Sequence, residues 1–298
     1  MFSGRPRVLF AAERGNDMLT AMDIAFYAGA ALYAGAALIS LYYLREANRR
    51  ALTLSVGFVM AGALCLVATF ALRWAGVKRL PLTTVADVLS LLTVLTSILM
   101  LWLIRKENVR PLLCFYLPPL AAICLANATI ARPDLHEAPR ALPGLPLTVH
   151  VGLAFLAYGL FYLAGMTSMA YVYQSRRLKQ HRTTGLFQRL PSLEELDHTL
   201  FRAVKLGYPL FLITLIFGAL WARVDPDLLG AHWWLAPKVV LSFAMAAFYA
   251  LAFHIRRVGR FRGPKLAYAV FFGFALFLTS YLVLALTGLR SYNFWGSF

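Results

Sequence analysis

Four side chains stand out as able to do chemistry within apolar surroundings: Asp87, His150, Lys238 and His254. An ionisable group inside an apolar run is costly and marks a candidate site, although the cost falls near the end of the run, where all four stand. His150 opens the stretch LTVHVGLAFLAYGLFYLAG, and His254 closes LAPKVVLSFAMAAFYALAFHIRR. A neutral imidazole can give a lone pair to a metal, haem iron included. Trp221, Trp233 and Trp234 gather just before the second stretch and offer flat surfaces for an aromatic ligand. Lys238 and His254 are 16 residues apart, roughly 24 Å along a helix. The two histidines therefore belong to opposite ends of their helices and cannot clamp one iron between them. A lone histidine at a helix end is more often an interfacial residue bonded to a carbonyl. The chain has no P-loop, no paired carboxylates at helical spacing and no nucleophile elbow. Cys65, Cys114 and Cys124 lie inside apolar segments without a CxxC pair, so they read as small packing residues.

The elements that must position these groups are membrane spans. Hydrophobic residues make up 60% of the 298 and charged residues 14%, against roughly 25% charged in a soluble domain. Apolar runs long enough to cross a bilayer recur at about 21–44, 51–73, 85–104, 112–129, 148–173, 205–222, 236–255 and 266–289. The expected fold is all-α: a polytopic membrane protein built as a bundle of about eight transmembrane helices. The net charge of +16 does not call for a nucleic-acid partner, because the cations sit in short loops beside the lipid bilayer. One set of loops carries 17 Lys and Arg and the other 10, which places the richer set in the cytoplasm and both termini outside. Residues 1–20 form an outward segment without the pattern of a signal peptide, and Met18 is an alternative start to Met1. Kinks are expected at Pro118–Pro119 and Pro209. In LPSLEELDHTLFRAVK, Ser192 and Glu195 have capping-box spacing, and Leu193, Leu196, Leu200 and Val204 recur at helical intervals. That pattern predicts a helix along the membrane interface, with His181 and His198 solvated.

The sequence resembles the cytochrome c assembly family of membrane proteins (the CcsA, CcmC and HemX-like group) from about residue 79 onward. The resemblance rests on PLTTVADVLSLLT (81–93), on LTVHVGLAFLAYGLFYLAG with YVYQSRRLK and LPSLEELD, and on GALWA, LGAHWWLAPK, YALAFHIRR and RFRGPKLAY in that order. The apolar runs make 21–129 a first group of four helices. The resemblance implies 130–298 as the assembly-like region, with four more helices and a degenerate Trp-rich outward loop. It also implies haem as the cofactor, with His150 matching an outward histidine, Trp233 a motif tryptophan, and His254 an intramembrane histidine that handles haem from the inner side.

Two departures stand against the family pattern. Its Trp-Asp-Pro-Lys-Glu core reads Leu235-Ala236-Pro237-Lys238-Val239 here, and Arg290 stands where the pattern has a second outward histidine. Arginine offers iron no lone pair, but it can pair with a haem propionate. The resemblance thus points to a divergent HemX-like protein of the bacterial inner membrane that binds or passes haem. His150 and His254 are candidate iron ligands, and Trp221, Trp233, Trp234 and Arg290 candidate haem contacts. Other cytochrome c biogenesis membrane proteins and apocytochrome c are the implied partners, and any ligation would belong to a complex. A HemX-like accessory protein without haem ligation is the alternative. A transporter is disfavoured because no inverted repeat is evident.

Overall fold

In a computed structural model, residues 5–77, 85–105, 107–130, 144–182, 184–224, 233–235, 237–257 and 263–286 are described. The described residues form helices α1 (Arg5–Glu46), α2 (Arg49–Val77), α3 (Val85–Leu103), α4 (Leu113–Ile130), α5 (Gly144–Lys179), α6 (Leu186–Arg189), α7 (Leu193–Val224), α8 (Pro237–Arg257) and α9 (Pro264–Leu286). Short 3-10 turns run over Glu107–Leu112 and Trp233–Leu235. With no water to bond, apolar backbone within a bilayer must satisfy its polar groups internally, and the helix does so.

By length and composition, five stretches can cross a membrane: Asp17–Glu46, Arg49–Gly76, Asn108–Thr129, Val149–Lys179 and Leu193–Leu220. Three shorter apolar helical stretches, Asp87–Leu103, Val239–His254 and Pro264–Leu276, account for the remaining predicted runs. The expected all-α, multi-pass architecture is what the chain adopts.

The chain divides into two compact units. The first holds Met1–Ser97 and Leu117–Ala141, the second Ile98–Tyr116 and Leu142–Phe298.

In the first unit, α1 and α2 are joined through Ala47 and Asn48. Ala47 turns the chain at φ 55°, and the Asn48 side chain accepts from the backbone N–H of Arg50 at 3.0 Å. The two helices pack closely where Gly29 faces Gly62 and where Gly35 faces the Phe58 ring. These glycines let the two helices approach closely.

Polar residues line one face of α3. Asp87 pairs with Arg73 at 2.5 Å, Ser90 accepts from Asn127 at 3.2 Å, and Ser97 bonds the Tyr33 hydroxyl at 2.6 Å. Arg73 is only 1% exposed, so it is an internal ion-pair partner and not a loop charge that reports orientation.

In the second unit, aromatic rings seat over glycines on neighbouring helices. Phe274 of α9 lies over Gly165 of α5, Phe161 of α5 over Gly207 of α7, and Phe248 of α8 over Gly273 of α9. Each glycine lets a ring approach where a larger side chain would hold the helices apart.

The capping box forms as its spacing predicts. Ser192 Oγ accepts from the Glu195 N–H at 3.2 Å, and Glu195 accepts from the Ser192 N–H at 3.0 Å. The helix it starts differs from the expected interfacial one. It runs unbroken through Pro209 to Val224 as α7, and Leu196, Leu200 and Val204 are buried within the protein. Helical periodicity shows that a face is apolar, but not whether lipid or protein covers it. His198 lies 3.8 Å from Glu194 with both side chains exposed, and His181 is also exposed.

Candidate functional site

His150 lies in the second turn of α5, half buried. Its Nδ1 is 3.0 Å from the backbone carbonyl of Thr214 on α7. A carbonyl only accepts, so Nδ1 carries a proton, and in the neutral ring the lone pair is on Nε2. Gly218 makes this seat possible, because a Cβ there would stand 2.9 Å from His150 Cε1. Thr214 and Gly218 are one helical turn apart, so a single face of α7 supplies both the acceptor and the gap. Thr214 also returns its own hydroxyl to the Leu210 carbonyl at 2.9 Å. A carbonyl bond of this kind orients a histidine and raises the basicity of its other nitrogen, as the outer partners of metal-bound histidines do.

His254 stands in different surroundings. On α8 the buried positions are Met245, Ala246, Tyr249 and Ala252. Phe243, Ala247, Leu251 and His254 form the exposed stripe on the other side. Its neighbour Arg256 turns inward and holds Asp197 of α7 through two hydrogen bonds, at 3.0 and 2.5 Å. The same guanidinium lies 5.0 Å from the centre of the Phe201 ring. A carboxylate of the chain itself thus occupies Arg256, and of the adjacent pair it is Arg257 that lies exposed.

The structure keeps the two histidines apart. His150 meets α7 at Thr214, whereas the end of α8 that bears His254 meets α7 at Asp197. Those two positions are 17 residues apart on one helix, roughly 25 Å. Between them Phe161, Phe211 and Tyr249 pack as an aromatic layer, with Phe161 and Tyr249 stacked at 3.9 Å. Any chemistry at the two histidines occurs at two separate places.

Trp221 falls in the last turn of α7, and Trp233 and Trp234 in the 3-10 turn before α8; Trp234 is 49% exposed. Lys238 starts α8. Asp87 belongs to the buried pair with Arg73, so it has a structural partner. The expectation for Arg290 lies outside the described residues. Among the described residues no group of three or more His, Cys, Asp or Glu could hold a metal ion.

Thr214, Gly218 and Asp197 escape the sequence reading. Thr214 and Gly218 lie 64 and 68 residues from His150, and nothing local to the histidine announces them. The available signal was the i, i+4 pair of a small and a hydroxyl residue in TLIFG. For Asp197 it was the third carboxylate of LEELD, two residues beyond the Glu195 that closes the capping box.

Comparison with known proteins gives the chain its relatives. The model of the Cytochrome C assembly protein family matches residues 82–290. Protein HemX of Brevibacillus brevis is 37% identical over 105 residues, which is 35% of this chain and 38% of that protein. Protein HemX of Bacillus subtilis (strain 168) is 31% identical over 121 residues, 41% of this chain and 43% of that protein. The match therefore spans less than half the length of either HemX protein. Cytochrome c biogenesis protein CcsA of Prochlorococcus marinus (strain MIT 9303) is 25% identical over 260 residues, 78% of this chain and 80% of that protein. No solved structure matches.

Proposed function

Because this chain belongs to the cytochrome c assembly protein family, we propose that it serves cytochrome c biogenesis in the bacterial inner membrane by holding haem at His150. The observation that carries this reading is the seat of that imidazole: Nδ1 bonded to the Thr214 carbonyl, the ring resting over Gly218, and the lone pair on Nε2. A carbonyl bond alone would also suit an ordinary interfacial histidine. The glycine that admits the ring and the family membership together favour a ligand.

Haem would supply an iron that takes a nitrogen ligand and an apolar ring edged by two carboxylates. In this chain His150 would give the nitrogen, Trp221, Trp233 and Trp234 the aromatic surface, and Arg290 the cation for a propionate. The site would have one histidine, because Arg290 replaces the second. His254 remains a candidate ligand for haem arriving from the cytoplasmic side, which it would meet on the exposed stripe of α8. Delivery to the outer face, with both termini outside, completes the reading. Apocytochrome c and other biogenesis membrane proteins would be the partners.

A second reading, a HemX-like accessory protein without haem, draws support from the lost acidic motif, from Arg290, and from the commitment of Arg256 to Asp197. Haem content of the protein purified from haem-replete cells separates the two. The first reading expects haem in near-stoichiometric amount by alkaline pyridine assay, and the second expects none.

A further inference from the structure

The basic ends of α5 and α9 enclose a groove of about 460 Å³ that the haem reading does not use. Its walls are apolar and aromatic: Met169, Val172 and Tyr173 from α5, and Tyr268, Phe271 and Phe272 from α9. Arg176, Arg177 and Gln180 line its polar end. Phe272 is 62% exposed, so the apolar end opens on the face a bilayer would cover.

The two arginines are held toward the groove by its own rings. Arg176 Nε donates to the Tyr268 hydroxyl at 3.0 Å, and its guanidinium lies 5.6 Å from that ring centre. The Arg177 guanidinium lies 5.8 Å from the centre of the Tyr173 ring. Its Nε is buried with no hydrogen-bond partner among the described residues. Among those residues neither arginine forms an ion pair with a carboxylate. The run YVYQSRRLKQHRTTGLFQRLPSL (171–193) contains five Lys and Arg and no Asp or Glu, and of the carboxylates that follow it Asp197 is held by Arg256.

We propose that this groove binds an anionic phospholipid of the surrounding bilayer, its phosphate between Arg176 and Arg177 and an acyl chain along Phe271 and Phe272. Two adjacent guanidiniums with no ion-pair partner among the described residues match a phosphate by charge and by hydrogen-bond geometry. The aromatic walls match the chain below it, and the groove lies at the basic helix ends where anionic headgroups are expected. The volume holds a headgroup and the upper part of one chain, so the remainder would lie in the bilayer.

Native mass spectrometry of the full chain in mild detergent, titrated with phosphatidylglycerol or phosphatidylethanolamine, tests the proposal. The wild type should retain phosphatidylglycerol roughly tenfold more tightly than phosphatidylethanolamine. Arg176→Gln with Arg177→Gln should abolish that preference, whereas Arg49→Gln with Arg50→Gln, an exposed basic pair elsewhere, should keep it. Should the first double variant not fold, Phe272→Glu at the exposed wall should remove the preference equally. Equal retention of the two lipids by the wild type, or the same loss in the Arg49/Arg50 variant, would overturn the proposal. Displacement of one phosphatidylglycerol by one added haem, lost together in the Arg176/Arg177 variant, would also overturn it by making haem the occupant.

Discussion

At the scale of the residue, the imidazole of His150 depends on a hydrogen atom where any other residue would have a methyl group. Gly218→Ala would place a Cβ 2.9 Å from Cε1, so the ring must leave the Thr214 carbonyl or α7 must shift. Lost alone, that hydrogen bond costs about 1 kcal/mol, too little to unfold the chain but enough to free the ligand. Gly218→Ala is therefore expected to lower haem retention several-fold at near-normal yield. Gly152→Ala, two residues from His150 with nothing within 4 Å of its Cβ, should retain haem as the wild type does. Haem per protein by absorbance, measured on both variants, checks the pair. The sequence marked His150 as a candidate by type and place, yet its partners were hidden because they lie a whole helix away along the chain. His254 was equally visible, but its place on the exposed stripe of α8 follows from which face of the helix the neighbours cover.

At the scale of the element, each unit shows its own packing device. In the first, Arg73 and Asp87 tie the end of α2 to the start of α3. Removing one member of a buried ion pair leaves the other uncompensated and typically costs 3–5 kcal/mol, whereas replacing both by apolar groups can be nearly neutral. Arg73→Met should lower the unfolding temperature in detergent by several degrees, and adding Asp87→Leu should restore much of it. An equal or larger drop in the double variant would show that the two residues act separately. In the second unit, Gly165 lies under Phe274, where a Cβ would stand 2.4 Å from the ring. Gly165→Ala should destabilise by about 1–3 kcal/mol, and Phe274→Leu in the same chain should recover part of that loss in a thermal-shift measurement. The helices themselves were legible in the sequence, because an apolar run of bilayer length admits few other structures. The Ser192–Glu195 cap was legible too, since its partners are three residues apart. The union of the predicted interfacial helix with the sixth span into one α7 was not, because periodicity does not reveal what covers an apolar face.

At the scale of the whole molecule, the reading proposed for this multi-pass member of the cytochrome c assembly family has a direction: haem would arrive from one side of a membrane and be used on the other. The charge asymmetry of the loops proposes which side is which, although Arg73 no longer counts as evidence for it. In a background with Cys65, Cys114 and Cys124 replaced by Ala, a membrane-impermeant thiol reagent on whole cells should label Gly230→Cys and leave Thr184→Cys unlabelled. The reverse pattern would invert the orientation and remove the inner-side role proposed for His254. Whether the chain holds haem at all, and by which side chain, is read most directly from one absorption experiment. Protein from haem-replete cells should show a Soret band, His150→Gly should lose it at unchanged yield, and imidazole added to that variant should bring it back. A wild type with no Soret band, or a His150→Gly spectrum identical to that of the wild type, would contradict His150 as the residue that holds haem.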